Sequence, residues 1–289
     1  RQTQEDLPPR LHLGTTSWSN EDWEGLIYPQ GGGAQDYLEY YARTFSAVEI
    51  DTTWYRIPTP RMIDAWLHRT PEYFTFAAKI PRVVSHEKRL VDCQAEMDEF
   101  LYAMRGLGHR LGPLLLQLAY VARGQDAREN EFGEDFLERL SLFLPQLPTQ
   151  EFRFAVEIRN GSWLRRELLD LLRQHGVALV LNHYYTMPDL AQTRQRLNPQ
   201  TADFLYVRFL GDRRKMDEHV DELIAAGKKE KHWDRIVWER RAEVENWARN
   251  IKEMTAQRPN TDLFVFFNNH FAGYAPGTLA HFAQAWKGT

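Results

Sequence analysis

The run Ala47-Val48-Glu49-Ile50-Asp51-Thr52-Thr53-Trp54-Tyr55 alternates apolar Val48, Ile50 and Trp54 with polar Glu49, Asp51, Thr53 and Tyr55. Successive side chains of a strand point to opposite faces, so this stretch reads as a strand with one apolar and one charged face. Seven further hydrophobic runs recur along the chain: Leu11 to Trp18, Phe74 to Pro81, Pro113 to Tyr120, Arg153 to Arg159, Val177 to Tyr184, Phe204 to Gly211 and Leu263 to Asn269. Between most of them lie segments of helical period, such as Tyr37-Leu38-Tyr41-Phe45 and Leu168-Leu169-Leu171-Leu172. Eight strand and helix units predict an α/β chain closed into a parallel (β/α)8 barrel, a fold that keeps its chemistry where strands end and loops begin.

Helices cover the outside of such a barrel, so the apolar set of each strand faces them and the polar set faces the axis. In Phe154-Ala155-Val156-Glu157-Ile158-Arg159 this sends Glu157 and Arg159 inward, while Lys79, Gln117 and Arg208 take the same face in their own runs. The expected interior cluster therefore holds Glu49, Asp51 and Glu157 against Lys79, Arg159 and Arg208, balanced in formal charge. Buried charges persist only when paired. Two accounts follow: a self-satisfied ion network that fixes strand register, or a catalytic cluster at the strand ends, and both can hold at once.

A barrel of this type needs about 250 residues, so the 289 residues divide into a polar tail over 1–10 and one barrel domain over 11–289. A charged insertion at about 212–233 carries Asp212-Arg213-Arg214-Lys215 and Lys228-Lys229-Glu230-Lys231, mixed-sign runs of the kind that face solvent. No apolar run approaches the roughly 20 residues that span a membrane, and residues 1–10 show no signal-peptide core. The one cysteine, Cys93, excludes an intramolecular disulfide and a cysteine zinc cluster, and a cytoplasmic setting is expected. A net charge of −4 gives no overall attraction to nucleic acid. Gly31-Gly32-Gly33 lacks the Gly-Lys-Ser/Thr of a phosphate cradle and reads as a loop.

Other side chains gather near the strand ends. His86, His183 and His270 follow or end three strands, and with a carboxylate they are an alternative metal set, although no His-x-His or His-x-x-x-His spacing supports it. Trp18, Trp163 and Tyr274 are the better candidate pocket walls, with Tyr55 near the same barrel face. In Asn268-Asn269-His270-Phe271-Ala272-Gly273-Tyr274-Ala275-Pro276-Gly277 the chain passes from the last strand into a helix with Pro276 in its first turn, a place where backbone amides around Gly273 can hold an anion beside Arg208.

The same residues carry a family resemblance. Gly14-Thr15-Thr16-Ser17-Trp18-Ser19, Trp23, Tyr28-Pro29, Tyr40-Tyr41-Ala42, Val48-Glu49-Ile50-Asp51, Lys79, Pro81-Arg82, Ser85-His86, Leu111-Gly112-Pro113, Gln117-Leu118, Glu157, Arg159, Ser162-Trp163, Val207-Arg208 and Asn268-Asn269 together resemble the domain-of-unknown-function-72 (DUF72) family, also called YecE-like, from about Leu11 onward. The resemblance implies a TIM-type barrel and no particular reaction. The chain departs from the family pattern in having Asp51 where Asn is usual, Ala119 where Gln-Leu is followed by Pro, and Leu210 where Arg-x-His-Gly is common.

The expected function is that of a hydrolase or lyase acting on a small anionic or sugar-like molecule, with no cofactor implied. Glu157, Lys79, Glu49 and Asp51 are the candidate catalytic groups, and Glu157 is the leading general acid or base. Arg159, Arg208, Asn268, Asn269, Gln117, His86, Trp18, Tyr55, Trp163 and Gly273 are candidates to bind the substrate. The alternatives are a metal-dependent phosphoesterase and a non-catalytic ligand-binding or regulatory protein. A small anion, rather than a membrane or nucleic acid, is the expected partner.

Overall fold

The computed structural model describes residues 10–122, 127–227 and 232–288, with nothing said of the side chains of 127–134. The expected tail over 1–10 lies, except for Arg10, outside the described residues, as do Lys228-Lys229-Glu230-Lys231. Eight parallel strands form one sheet: β1 (Leu11–Thr15), β2 (Ala47–Ile50), β3 (Thr75–Lys79), β4 (Leu111–Gln117), β5 (Phe154–Glu157), β6 (Ala178–Tyr184), β7 (Phe204–Gly211) and β8 (Asp262–Phe267). Helices α1 (Tyr37–Ala42), α2 (Pro60–His68), α3 (Gln94–Arg105), α4 (Ala127–Phe143), α5 (Arg166–Gln174) and α6 (Leu190–Arg196) separate the first seven strands in turn. Both α7 (Arg213–Ala225) and α8 (Arg241–Ala256) stand between β7 and β8, and α9 (Asn269–Ala272) and α10 (Ala275–Gly288) follow β8. This is a (β/α)8 barrel. None of the described helices is long and apolar enough to cross a membrane.

Parity falls as the alternation requires. Val48, Ile50, Val156 and Ile158 pack with the helices in the outer core, while Ala47, Ala77, Leu115, Ala155, Ala178, Val180, Tyr206, Phe264 and Phe266 form a second core within the barrel. The alanines on β2, β3, β5 and β6 leave the interior room for the long side chains contributed by β7 and β8. His12 sits lower on the axis, stacked on Phe264 with centroids 4.5 Å apart.

One boundary differs from the sequence expectation. β2 ends at Ile50, and Thr52–Trp54 form a 3-10 turn, so strand alternation stops at Asp51 and Tyr55 is exposed instead of facing the axis. The described start of the charged segment after β7 carries α7, largely facing solvent as expected: Asp212 caps it by accepting from the Lys215 amide at 3.3 Å, and Met216 is buried.

The seam between β1 and β2 closes the barrel with few ladder bonds. Thr16 bridges Glu49 and the Ser17 amide donates to the Glu49 carbonyl at 3.0 Å. Below that point the Tyr41 hydroxyl substitutes for strand pairing, accepting from the Thr15 amide at 2.7 Å and donating to the Ala47 carbonyl at 3.1 Å. Gly14 lets the strands approach, because a Cβ there would lie 2.0 Å from the Ala47 carbonyl oxygen. Tyr41→Phe keeps the buried ring and strips the bridge. It is expected to cost about 1–3 kcal/mol, the penalty for a buried donor left unpaired, read as a lower urea midpoint at unchanged m-value. An unchanged midpoint would show that the seam does not need the hydroxyl.

Candidate functional site

The charged residues of the strand ends form two connected layers. In the inner layer Arg208 crosses the axis from β7, donating from Nη2 to Glu49 Oε1 on β2 at 2.6 Å and from Nη1 to Glu157 Oε2 on β5. Glu49 Oε2 accepts from the Tyr206 hydroxyl at 2.6 Å, and Glu157 Oε1 accepts from Arg159 Nε at 2.8 Å. Glu49, Glu157, Tyr206 and Arg208 are buried, and among the described residues Arg208 Nε has no hydrogen-bond partner. Gln117 sits beside Glu157 in register, and Asn182, opposite Arg208 on β6, donates to the Ile158 carbonyl at 3.0 Å.

Burial alone would raise the Glu157 carboxyl, but Arg208 and Arg159 outweigh it and hold the group down at about 2. Burial likewise works against the Arg208 guanidinium and is outweighed by Glu157 and Glu49, which raise its pKa. Burial, reinforced by Glu49, lifts the Tyr206 phenol well above its ordinary value. A carboxylate so acidic, with both oxygens bonded to guanidinium groups, is a poor general base, so the leading catalytic role expected of Glu157 does not suit its surroundings. Arg208 has both terminal nitrogens on carboxylates and serves as the strut of the network instead of an open anion receptor.

The outer layer faces the mouth. Lys79 Nζ lies 3.2 Å from Asp51 Oδ1 and 4.8 Å from the centre of the Trp54 ring. The same indole carries the Arg82 guanidinium at 5.3 Å and meets the His86 ring edge-on at 5.1 Å. Arg159 spans the two layers, its side chain one-fifth exposed and its guanidinium 4.7 Å from the centre of the Tyr184 ring. The 3-10 turn after β2 anchors this arrangement: Thr53 Oγ1 accepts from the Lys79 amide at 3.1 Å and lies 2.7 Å from the Lys79 carbonyl. Burial lowers the Lys79 pKa, helped by Arg208 and opposed by Asp51. His86 is pushed down to about 4, first by burial and then by four cations, Lys79, Arg159, Arg82 and Arg89.

Several expected binding residues have other duties. Trp163 is buried and stacked on Phe136, centroids 4.0 Å apart, because its ring turns into the layer beneath α4. Trp18 packs edge-on against Trp66 in the outer core. Asn269 Oδ1 accepts from the Ala275 amide at 2.9 Å, and the Gly273 amide donates to the Asn269 carbonyl at 2.7 Å, so the turn before α10 consumes amides expected to receive an anion. Asn268 donates to Thr16 Oγ1 at 2.8 Å and accepts from the His270 amide at 2.9 Å. A cavity of about 170 Å3 lies here, lined by Thr16, Ser17, Asn20, Trp233, Asn268 and His270 among others.

The three histidines do not converge. His183 points out of the barrel, bonded to Glu243 at 2.8 Å and set edge-on to Phe271, while His270 bonds Asp217 at 3.1 Å and His86 stays beside Trp54. Among the described residues no group of three or more His, Cys, Asp or Glu is placed to hold a metal ion, so the alternative ligand set is not assembled.

Tyr206, Asn182, Tyr184 and Trp54 belong to the site although the charge count passes over them. Tyr206 and Asn182 share the inward parity of Arg208 and Val180, a signal present in the alternation but weak for side chains without formal charge. Trp54, expected in the core by parity, reaches the mouth because the backbone has left the strand.

The protein is thus a (β/α)8 barrel with an internally paired charge network beneath a cationic mouth. The chain belongs to the family described as Protein of unknown function DUF72, whose model matches residues 12–289. It is similar to UPF0759 protein YecE of Escherichia coli K12, 34% identical over 156 residues that cover 54% of this chain and 51% of that protein, so the chain spans about half the length of that curated relative. UPF0759 protein YunF of Bacillus subtilis is 24% identical over 274 residues, 92% of this chain and 90% of that one. A crystal structure of a DUF72 family protein from Thermotoga maritima superposes with a TM-score of 0.71 at 26% identity, covering 96% of this chain and 99% of that chain. An AP endonuclease, family 2, from Brucella melitensis shares the fold at a TM-score of 0.51 and 14% identity, over 96% of this chain and 99% of that one.

The Glu157 pKa sets a pH dependence with a definite sign. Its folded value is depressed, so its contribution is present above the ordinary value of 4.5 and is lost as pH falls from there through about 2. The depression corresponds to on the order of 3 kcal/mol at neutral pH. The unfolding midpoint of the wild type is expected to fall steeply over that window, while Glu157→Gln starts lower and falls less. Parallel acid profiles for the two proteins would contradict the pairing.

Proposed function

We propose that the chain is an enzyme, a lyase or hydrolase, that acts on a small anionic molecule at the C-terminal mouth of the barrel. Lys79 is its reactive group and Arg159 the anchor for the substrate anion. The observation that carries this reading is the crowding of Lys79, Arg82 and His86 on one indole, Trp54, with Arg159 adding to the positive field felt by His86. Like charges held together repel unless an anion joins them. Asp51 meets Lys79 and Glu87 meets Arg82 at 3.0 Å, both from partly exposed positions where a bound anion can compete with them.

The chemistry divides between the layers. Arg159, its orientation fixed by Glu157 and Tyr184, offers the planar donor geometry that suits a carboxylate or phosphate. Lys79, with its pKa lowered by burial, is suited to take a proton from carbon or from water. His86, neutral at pH 7, can exchange a proton with the substrate or donate a hydrogen bond to it. Glu49, Glu157 and Arg208 hold the frame. An imidazole that senses the mouth supplies the test. The His86 resonance is expected to titrate at about 4 in the free protein and to move upward when a small carboxylate or phosphate binds, because added negative charge favours the imidazolium. Arg159→Met should weaken that response. A His86 midpoint indifferent to every anion, with no anion-linked rise in melting temperature, would overturn the reading.

A further inference from the structure

We infer that Lys79 is a nucleophilic amine that condenses with the carbonyl carbon of a small anionic aldehyde or ketone, forming an iminium at the barrel mouth. The inference rests on the reading of the mouth as an anion site and names the substrate class that site takes. Lys79 stands at the C-terminal end of β3, its side chain one-tenth exposed, open enough for a small molecule and too enclosed for bulk water to dominate its surroundings. Its backbone is held on both sides by Thr53 Oγ1, and its ammonium lies against the face of Trp54, so the nitrogen has a fixed address. A lysine kept only to balance charge would be expected to sit in the carboxylate network below. Here Glu49 and Glu157 are taken by Arg208, Arg159 and Tyr206, and among the described residues Asp51 is the sole ion-pair partner of Lys79.

The same geometry provides the proton path. Iminium formation joins the Lys79 nitrogen to the carbonyl carbon and breaks the carbon to oxygen double bond. The ammonium loses two protons and the oxygen departs with both as water, so ammonium plus carbonyl gives iminium plus water with charge unchanged. Asp51, 3.2 Å from the nitrogen and partly exposed, is placed to relay those protons. Arg159 fixes the anionic group of the substrate, and the Trp54 face limits the water that would reverse the dehydration. Burial favours the neutral amine, and each unit by which a lysine pKa falls raises the reactive fraction at pH 7 about tenfold.

Trapping tests the inference on the wild-type protein. The folded chain is incubated with glyoxylate or pyruvate and cyanoborohydride, which reduces iminium ions in preference to carbonyls, and the adducts are located by peptide mass mapping. Lys79 is expected to be modified about tenfold faster than the exposed Lys215 and Lys287, because its amine is held in place against Trp54 near the anion anchor Arg159. Neutral acetone should label it more slowly than the anions do. Lys79→Arg should abolish the fast adduct, and Asp51→Asn should slow its formation while circular dichroism and melting stay near wild type. Labelling of Lys79 no faster than of surface lysines overturns the iminium. If the His86 titration still answers to glyoxylate, the anion site survives that result and only the covalent step falls. If His86 does not answer, the anion site falls as well.

Discussion

Arg208 caught between Glu49 and Glu157 is the constraint on which the mouth of this barrel depends. The three side chains come from β7, β2 and β5, so one guanidinium ties together strands that are not neighbours in the sheet. Taking these ions out of water is expensive and is offset only by close pairing with the remaining bonds satisfied, which Tyr206 and Arg159 largely supply. The alanines on the strands beneath make the crossing sterically possible. The pairing of Arg208 to both carboxylates also explains why Glu157 stays ionised in a buried position.

With the carboxylates of the inner layer committed, the field that His86 feels at the outer layer is set by four cations, Lys79, Arg159, Arg82 and Arg89. The carboxylates paired with Lys79 and Arg82, Asp51 and Glu87, lie partly exposed. The inner network and the cationic mouth are therefore one electrostatic object. Arg159 belongs to both parts, bonded to Glu157 below and set against Tyr184 above. Asp51 is the carboxylate that compensates the Lys79 charge.

The comparisons bear on the fold and the family. Membership of the DUF72 family and the superposition on the Thermotoga maritima protein agree with the barrel read from eight hydrophobic runs. The resemblance to the Brucella melitensis protein at 14% identity is a likeness of fold, and a barrel of this kind hosts many chemistries.

Alternation in the sequence was enough to determine the strands, their inward faces and the membership of Glu49, Lys79, Gln117, Glu157 and Arg208 in the interior, because a strand in a covered barrel has only two faces and burial separates them. Where the backbone leaves the strand, that logic ends. Across the 3-10 turn Tyr55 becomes exposed and Trp54 reaches the mouth, and Trp163 and Asn269 serve packing and helix capping, since loop conformation depends on contacts between distant segments. Only the tertiary structure decided which cation meets which carboxylate. Formal charge is a property of each residue, whereas pairing depends on the few ångströms between side chains brought across the barrel axis, and that distance makes Glu157 a structural anion and leaves Lys79 at the mouth.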